Sequence, residues 1–286
     1  DVANAHLAIT PGRRGIPVSG RINAEYNGRT GDVNVADSYV ALPNTRLNLT
    51  GSLRNRLNLD LTTSNLNDLF AAILPGKEPP AELQGGRATF VGSVTGGLAS
   101  PHVVGHLAVN NLSVQGRRFD SLSADVDAMK SRAQLQNALL QRGAMVTGAN
   151  ASVRLENWSA KPRDAVEATA SVKNGDLADI MVLAGQKPAG YSGALSAQAT
   201  IAGTVGNPTG QADITVLNGT LEDQPFDRLQ ARVNLADQLV TIPGATLSSG
   251  PAQVRLTAEF RHPRDSFTTG TLHANVQSNQ VDLAQL

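Results

Sequence analysis

Phe119-Asp120-Ser121-Leu122-Ser123-Ala124-Asp125-Val126 returns 107 residues later as Phe226-Asp227-Arg228-Leu229-Gln230-Ala231-Arg232-Val233, with five positions identical. Leu, Ala and Val recur at every second residue, the interval at which an extended strand returns to the same face. The repeat therefore preserves an apolar strand face while the alternate residues drift. The offset persists upstream, where Pro101 falls on Pro208, Asn111 on Asn218 and Val114 on Leu221.

A second landmark gives the same period. Asp68-Leu69, Asp176-Leu177 and Asp282-Leu283 each follow an Asn (Asn65, Asn174, Asn279), at spacings of 108 and 106 residues. Gly12-Arg13-Arg14 precedes Gly116-Arg117-Arg118 by 104 residues, which sets Val18, Gly20 and Ile22 against Leu122, Ala124 and Val126. The chain reads as about two and two-thirds copies of one unit, and such a period marks an array of supersecondary blocks. The expected division is a partial repeat at 1–67, repeats at 68–175 and 176–281, and the start of a further one at 282–286. These form one continuous body without a linker. Opening inside one repeat and stopping at the threshold of another, the chain is expected to be a piece of something longer.

Within each repeat, alternating apolar residues mark about six strands. Examples are Leu57/Leu59/Leu61, Ala88/Phe90, Val166/Ala168/Ala170/Val172 and Leu272/Ala274/Val276, separated by turn signals such as Asn27-Gly28 and Gly206-Asn207-Pro208. Such short connections predict antiparallel neighbours paired in sequence order. The pattern becomes helical at Leu66, Leu69, Phe70 and Ile73, with Asn65 as cap and Pro75-Gly76 as stop. The equivalent segment, 176–184, ends at Gly185 and Pro188. The expected class is all-β and antiparallel, with one short helix per repeat.

Lys plus Arg equals Asp plus Glu at 24 each, so no charge excess invites nucleic acid. Cysteine is absent, which excludes disulfides and thiolate metal sites. The first residues carry no signal-like apolar stretch, and the longest aliphatic run, Ile180 to Ala184, is too short to span a membrane. Aromatic residues are only 3% of a chain that is 41% hydrophobic, so its apolar surface is built from Ala, Val, Leu and Ile.

Catalytic and metal chemistry find little support. His102 and His106 share a strand face, but no third ligand accompanies them, and Thr209 and Asp213 stand at the corresponding places of the next repeat. Glu222-Asp223 sits beside a turn. Nucleophile elbows, phosphate loops and dinucleotide fingerprints are missing. A catalytic Asp-Leu would need three copies of one site, whereas a capped helix explains all three. The paired arginines give way to Gln224-Pro225 in the third repeat, as a solvated turn would. The reading is not an enzyme, with no cofactor and no metal. What remains is the apolar strand face, which must be covered by a second sheet, by curling, or by something other than protein.

The run Gly193 to Pro208, then Val216-Leu217-Asn218-Gly219, then Phe226-Asp227-x-Leu229-x-Ala231-x-Val233, resembles the repeats of TamB and the wider AsmA-like proteins. Val281-Asp282-Leu283-Ala284-Gln285-Leu286 resembles their unit-opening segment. The resemblance implies an elongated antiparallel sheet curled into an open groove, in a periplasmic protein anchored in the inner membrane of a Gram-negative bacterium. It also implies transport of phospholipid, or another acyl lipid, toward the outer membrane, or aid to outer-membrane protein assembly through a partner met by regions outside this sequence. On that reading the groove is lined by Val18, Ile22, Leu107, Val109, Leu122, Ala124 and Val126. It continues with Leu195, Ala197, Ala199, Ile201, Ile214, Val216, Leu229, Ala231, Val233, Val254, Leu256, Ala258, Leu272, Ala274 and Val276. The alternative is a structural or interaction β-repeat, adhesin-like or a sandwich array, whose face is covered by protein.

Overall fold

The computed structural model describes residues 2–12, 17–73, 81–97, 99–114, 116–183, 186–263 and 269–279. Contacts divide the chain into two units, residues 1–142 and 143–286. The first contains β1 (Val2–Ile9), β2 (Ser19–Asn27), β3 (Asp32–Leu42), β4 (Thr45–Ser52), β5 (Arg56–Thr63), α1 (Leu66–Ile73), β6 (Glu82–Thr95), β7 (His102–Val114), β8 (Arg117–Met129) and β9 (Arg132–Arg142). The second contains β10 (Met145–Arg154), β11 (Val166–Asp176), α2 (Leu177–Leu183), β12 (Ser192–Thr204), β13 (Asn207–Leu221), β14 (Gln224–Ala236), β15 (Leu239–Ser249), β16 (Ala252–Arg261) and β17 (Thr271–Ser278). Each unit is an antiparallel meander in which every strand pairs with its neighbours in sequence. Among the described residues neither meander closes on itself, so the chain is all-β, antiparallel and open, with few helices.

The turns explain the pairing. Glu222 and Asp223 both have positive φ, 49° and 63°, and form a two-residue hairpin between Leu221 and Gln224. Asp237 and Gln238, at 47° and 68°, do the same between Ala236 and Leu239. Their twist matches that of the flanking strands.

The helices stand where the apolar spacing places them, but the Asp-Leu landmark does not mark one structural position. Asn65 caps α1, its Oδ1 accepting from the Asn67 N–H at 3.0 Å. Asp68 then lies in the first turn and accepts from the Asn44 N–H (2.8 Å) and Thr45 Oγ1 (3.2 Å), tying α1 to the β3–β4 turn. In α2 the cap is Asp176 itself, accepting from the Ala178 N–H at 2.8 Å, while Asn174 stays in β11 with φ 51°. The stops at Pro75-Gly76 and Gly185, the helix ends at 74 and 184, Arg13-Arg14 and the segment Val281 to Leu286 lie outside the described residues.

Asn111 and Asn218, matched in the repeat, have left-handed φ values of 51° and 50°. Asn tolerates this conformation and a β-branched residue does not. Asn218→Gly should therefore leave urea unfolding nearly unchanged. Asn218→Val should cost on the order of 1–2 kcal/mol, and equal stability of the two variants would contradict this account.

The repeated Phe-Asp has two jobs. Phe119 and Phe226 are buried, 1% and 4% exposed. Phe226 lies three residues before Leu229, out of the period-two phase, yet it joins Leu195 and Val216 in one core, because Asp227 and Arg228 both turn outward. Gly219 pairs with Phe226, and a Cβ there would stand 2.6 Å from the ring and 2.3 Å from the Ser192 carbonyl oxygen. The Asp227 carboxylate accepts from the Gly250 N–H at 2.7 Å and so holds the β15–β16 turn.

Candidate functional site

Residues directly opposite in a β-ladder share a face, so register traces apolar rows across strands. In the second unit one row runs Val172, Ala197, Ile214, Ala231, Ala245, Leu256, Val276, one residue on each of seven consecutive strands. At about 4.8 Å between strands it extends roughly 29 Å. A second row runs Ala149, Ala170, Ala199, Ala212, Val233. A third runs Leu195, Val216, Leu229, Leu247, Val254. A fourth begins Ala168, Ile201, Gly210, Leu235, and at the far side Ala258 faces Ala274 while Phe260 faces Leu272.

The side chains form a trough. Four consecutive strands contribute alanine to the second row, whereas the flanking rows alternate in size, Val172, Ala197, Ile214 and Ala231 on one side and Ala168, Ile201, Gly210 and Leu235 on the other. Ala197, Ala199, Ala212, Ala231 and Val233 are half-buried, while Gln198, Thr200, Gln211, Asp213, Gln230 and Arg232, one residue out of phase, are exposed. At one end α2 packs Leu177 and Ile180 onto Leu195, Val216 and Phe226. Toward β17 the face opens, with Leu272 and Val276 63% and 64% exposed.

The first unit repeats the pattern by itself. Leu7 faces Ile22, and farther along Leu47, Leu61, Phe90, Leu107 and Ala124 stand in one row. Val109 faces Leu122, Val126 faces Gly105, and Val18 lies just before β2. Within each unit the residues named from sequence thus fall on one face. Sequence reading missed part of that face in β15, where the register jumps between Ile242 and Ala245. The bulge at Pro243-Gly244 reverses the phase, so Val240/Ile242 and Ala245/Leu247 do not read as one alternation.

The described recesses open on the opposite, polar faces, and each lies at a bulge. One, about 900 Å³, is bordered by Lys173, Gln198, Asp213, Arg232, Pro243 and Gly244 and also by Val172, Ala197, Ile214 and Ala231 of the first row. Another, about 520 Å³, includes Asp37, whose φ is 44°. A strand kinked by an extra residue leaves a hollow beside its partner, which accounts for their placement. Polar pairs stud these faces: Arg232 Nε donates to Asp213 at 2.7 Å, and Glu222 accepts from the Tyr191 hydroxyl.

The two histidines of β7 are held by carboxylates of β8. His102 Nε2 lies 3.0 Å from Asp127 and His106 Nδ1 lies 2.7 Å from Asp125. Asn137 also donates to Asp125 at 2.8 Å, and Asn137 with His106 holds that carboxyl below its ordinary value. Among the described residues no three His, Asp or Glu side chains gather as metal ligands. No described helix is long and apolar enough to cross a membrane, which leaves strands out of account.

No protein-family model, curated protein or solved structure matches the chain.

Proposed function

We propose that the apolar faces hold acyl chains of phospholipid or a similar lipid, in a periplasmic protein of the TamB/AsmA-like kind that carries lipid between membranes or assists outer-membrane assembly. The protein acts by binding, not catalysis. The observation that carries this reading is the in-register trough in the second unit. A floor of Ala149, Ala170, Ala199 and Ala212, flanked by rows that carry a branched aliphatic residue on every second strand, crosses strand after strand without a charged side chain. A flexible hydrocarbon chain fits such a floor because methyl groups offer contact without polar groups to desolvate. Each methylene kept from water is worth roughly 0.8 kcal/mol. A chain sliding along equivalent rows exchanges like contacts for like, so the barrier stays small compared with leaving the face. The headgroup remains in water.

Photo-crosslinkers placed at Ala199 or Val233 should capture lipid in cells, and those at Thr200 or Gln230 should not. Lipid should also be extractable from protein purified without detergent. Equal capture from both faces, or capture of protein alone from the apolar face, would overturn the reading in favour of a structural β-repeat.

A further inference from the structure

We propose that one edge of the first unit, the row of turns β2–β3, β4–β5 and β8–β9, docks on the surface of an anionic phospholipid bilayer. Because the meander runs in sequence order, these turns emerge at the same ends of their strands. They carry Arg29, Arg54, Arg56, Lys130 and Arg132, of which the four arginines are exposed. Six strand spacings of about 4.8 Å spread this row over roughly 29 Å along the sheet. Two carboxylates, Asp32 and Asp127, lie among the five cations, a local excess in a chain whose Lys plus Arg equals its Asp plus Glu.

The turns are pinned. Asn27 Oδ1 accepts from the Arg29 and Thr30 N–H groups at 3.0 and 3.2 Å, and the Gly31 N–H donates to the Asn27 carbonyl at 2.7 Å. In the next turn Leu53 is buried with Val35 and Leu57, which fixes the chain from which Arg54 and Arg56 project. Both carboxylates are already engaged: Asp32 accepts from Ser52 Oγ at 2.8 Å and from the Arg54 N–H at 3.0 Å, and Asp127 lies 3.0 Å from His102 Nε2. Among the described residues no carboxylate stands within ion-pair distance of Arg29, Arg56 or Lys130. At the other ends of the strands, by contrast, Arg46 lies over the Tyr39 ring and Arg118 donates to Gln84.

A protein partner would need an apolar anchor at the centre of the contact. The one large apolar residue in turns 28–31, 53–55 and 130–131 is Leu53, and it is buried. A bilayer needs no such anchor, because mobile anionic headgroups can gather beneath separate cations, each of which the surface potential attracts. Tyr26, 46% exposed beside the first turn, suits the headgroup layer, where Tyr is enriched. This contact does not depend on acyl chains lying on the apolar faces.

The chain should co-sediment with vesicles of phosphatidylcholine and phosphatidylglycerol, less so as salt rises, and hardly at all with vesicles of phosphatidylcholine alone. Arg29→Gln and Arg56→Gln each remove one charge, from separate turns. Each should weaken the partition about fivefold, and the pair about 25-fold, with unchanged urea midpoints, whereas Arg255→Gln in the second unit should not. Equal partition onto neutral vesicles, or undiminished partition of the double variant, would overturn the proposal. So would tighter binding of a DNA duplex at the same salt, because the row would then fit a polyanion and not a bilayer.

Discussion

Phe226→Ala is expected to destabilise the second unit by about 3–5 kcal/mol, the largest loss for any single truncation in it. The ring is 4% exposed and packs with Leu195 and Val216, themselves 3% and 0% exposed, beneath Leu177 and Ile180 of α2. Its removal leaves a hole that the sheet is poorly placed to close, since Gly219 already lets the neighbouring backbone approach the ring closely. Phe260 is only half-buried on β16, so Phe260→Ala should cost distinctly less. Urea unfolding of the two variants beside the parent checks the ranking, and a loss below about 1 kcal/mol for Phe226→Ala would show that the ring is not an anchor.

Much of this fold is legible in sequence because a solvent-facing antiparallel strand writes its burial directly as alternation. Leu229/Ala231/Val233 and Leu195/Ala197/Ala199 announce both the strand and the face, and short turns leave little choice of partner. The reading fails where the backbone leaves the period. Residues in left-handed conformation, such as Asn174 and Asn218, and the extra residues at Pro243-Gly244 reverse or interrupt the phase without changing composition. Phe226 is plain in the repeat, but its burial is not, because it depends on Asp227 and Arg228 turning outward together. The repeat of Asp68 and Asp176 likewise conceals two roles, one tethering a turn and the other capping a helix. The recesses leave no mark in the sequence either, since they follow from bulges and not from any residue pattern.

On the proposed function, Ala199→Asp and Val233→Asp are expected to abolish lipid binding and, in cells, any support of outer-membrane integrity that depends on it. Ala199 stands between Ala170 and Ala212 in the alanine row, so a carboxylate there meets methyl groups on both neighbouring strands and no cation. Placing an unpaired charge against bound hydrocarbon costs several kcal/mol, enough to empty the trough at that point and interrupt passage along it. Gln230→Asp is the matched control, because residue 230 lies on the polar face opposite Thr215 and Thr246. Gln198 would be a poor control despite facing the same way. Its direct partner is Asp213, and like charges opposed across strands destabilise the sheet. Lipid recovered from detergent-free protein and permeability of the outer membrane are to be measured at matched protein levels and matched urea midpoints. If the inward aspartates then retain lipid and function as fully as Gln230→Asp, acyl chains do not lie on this face. The apolar rows would then serve to pack against protein.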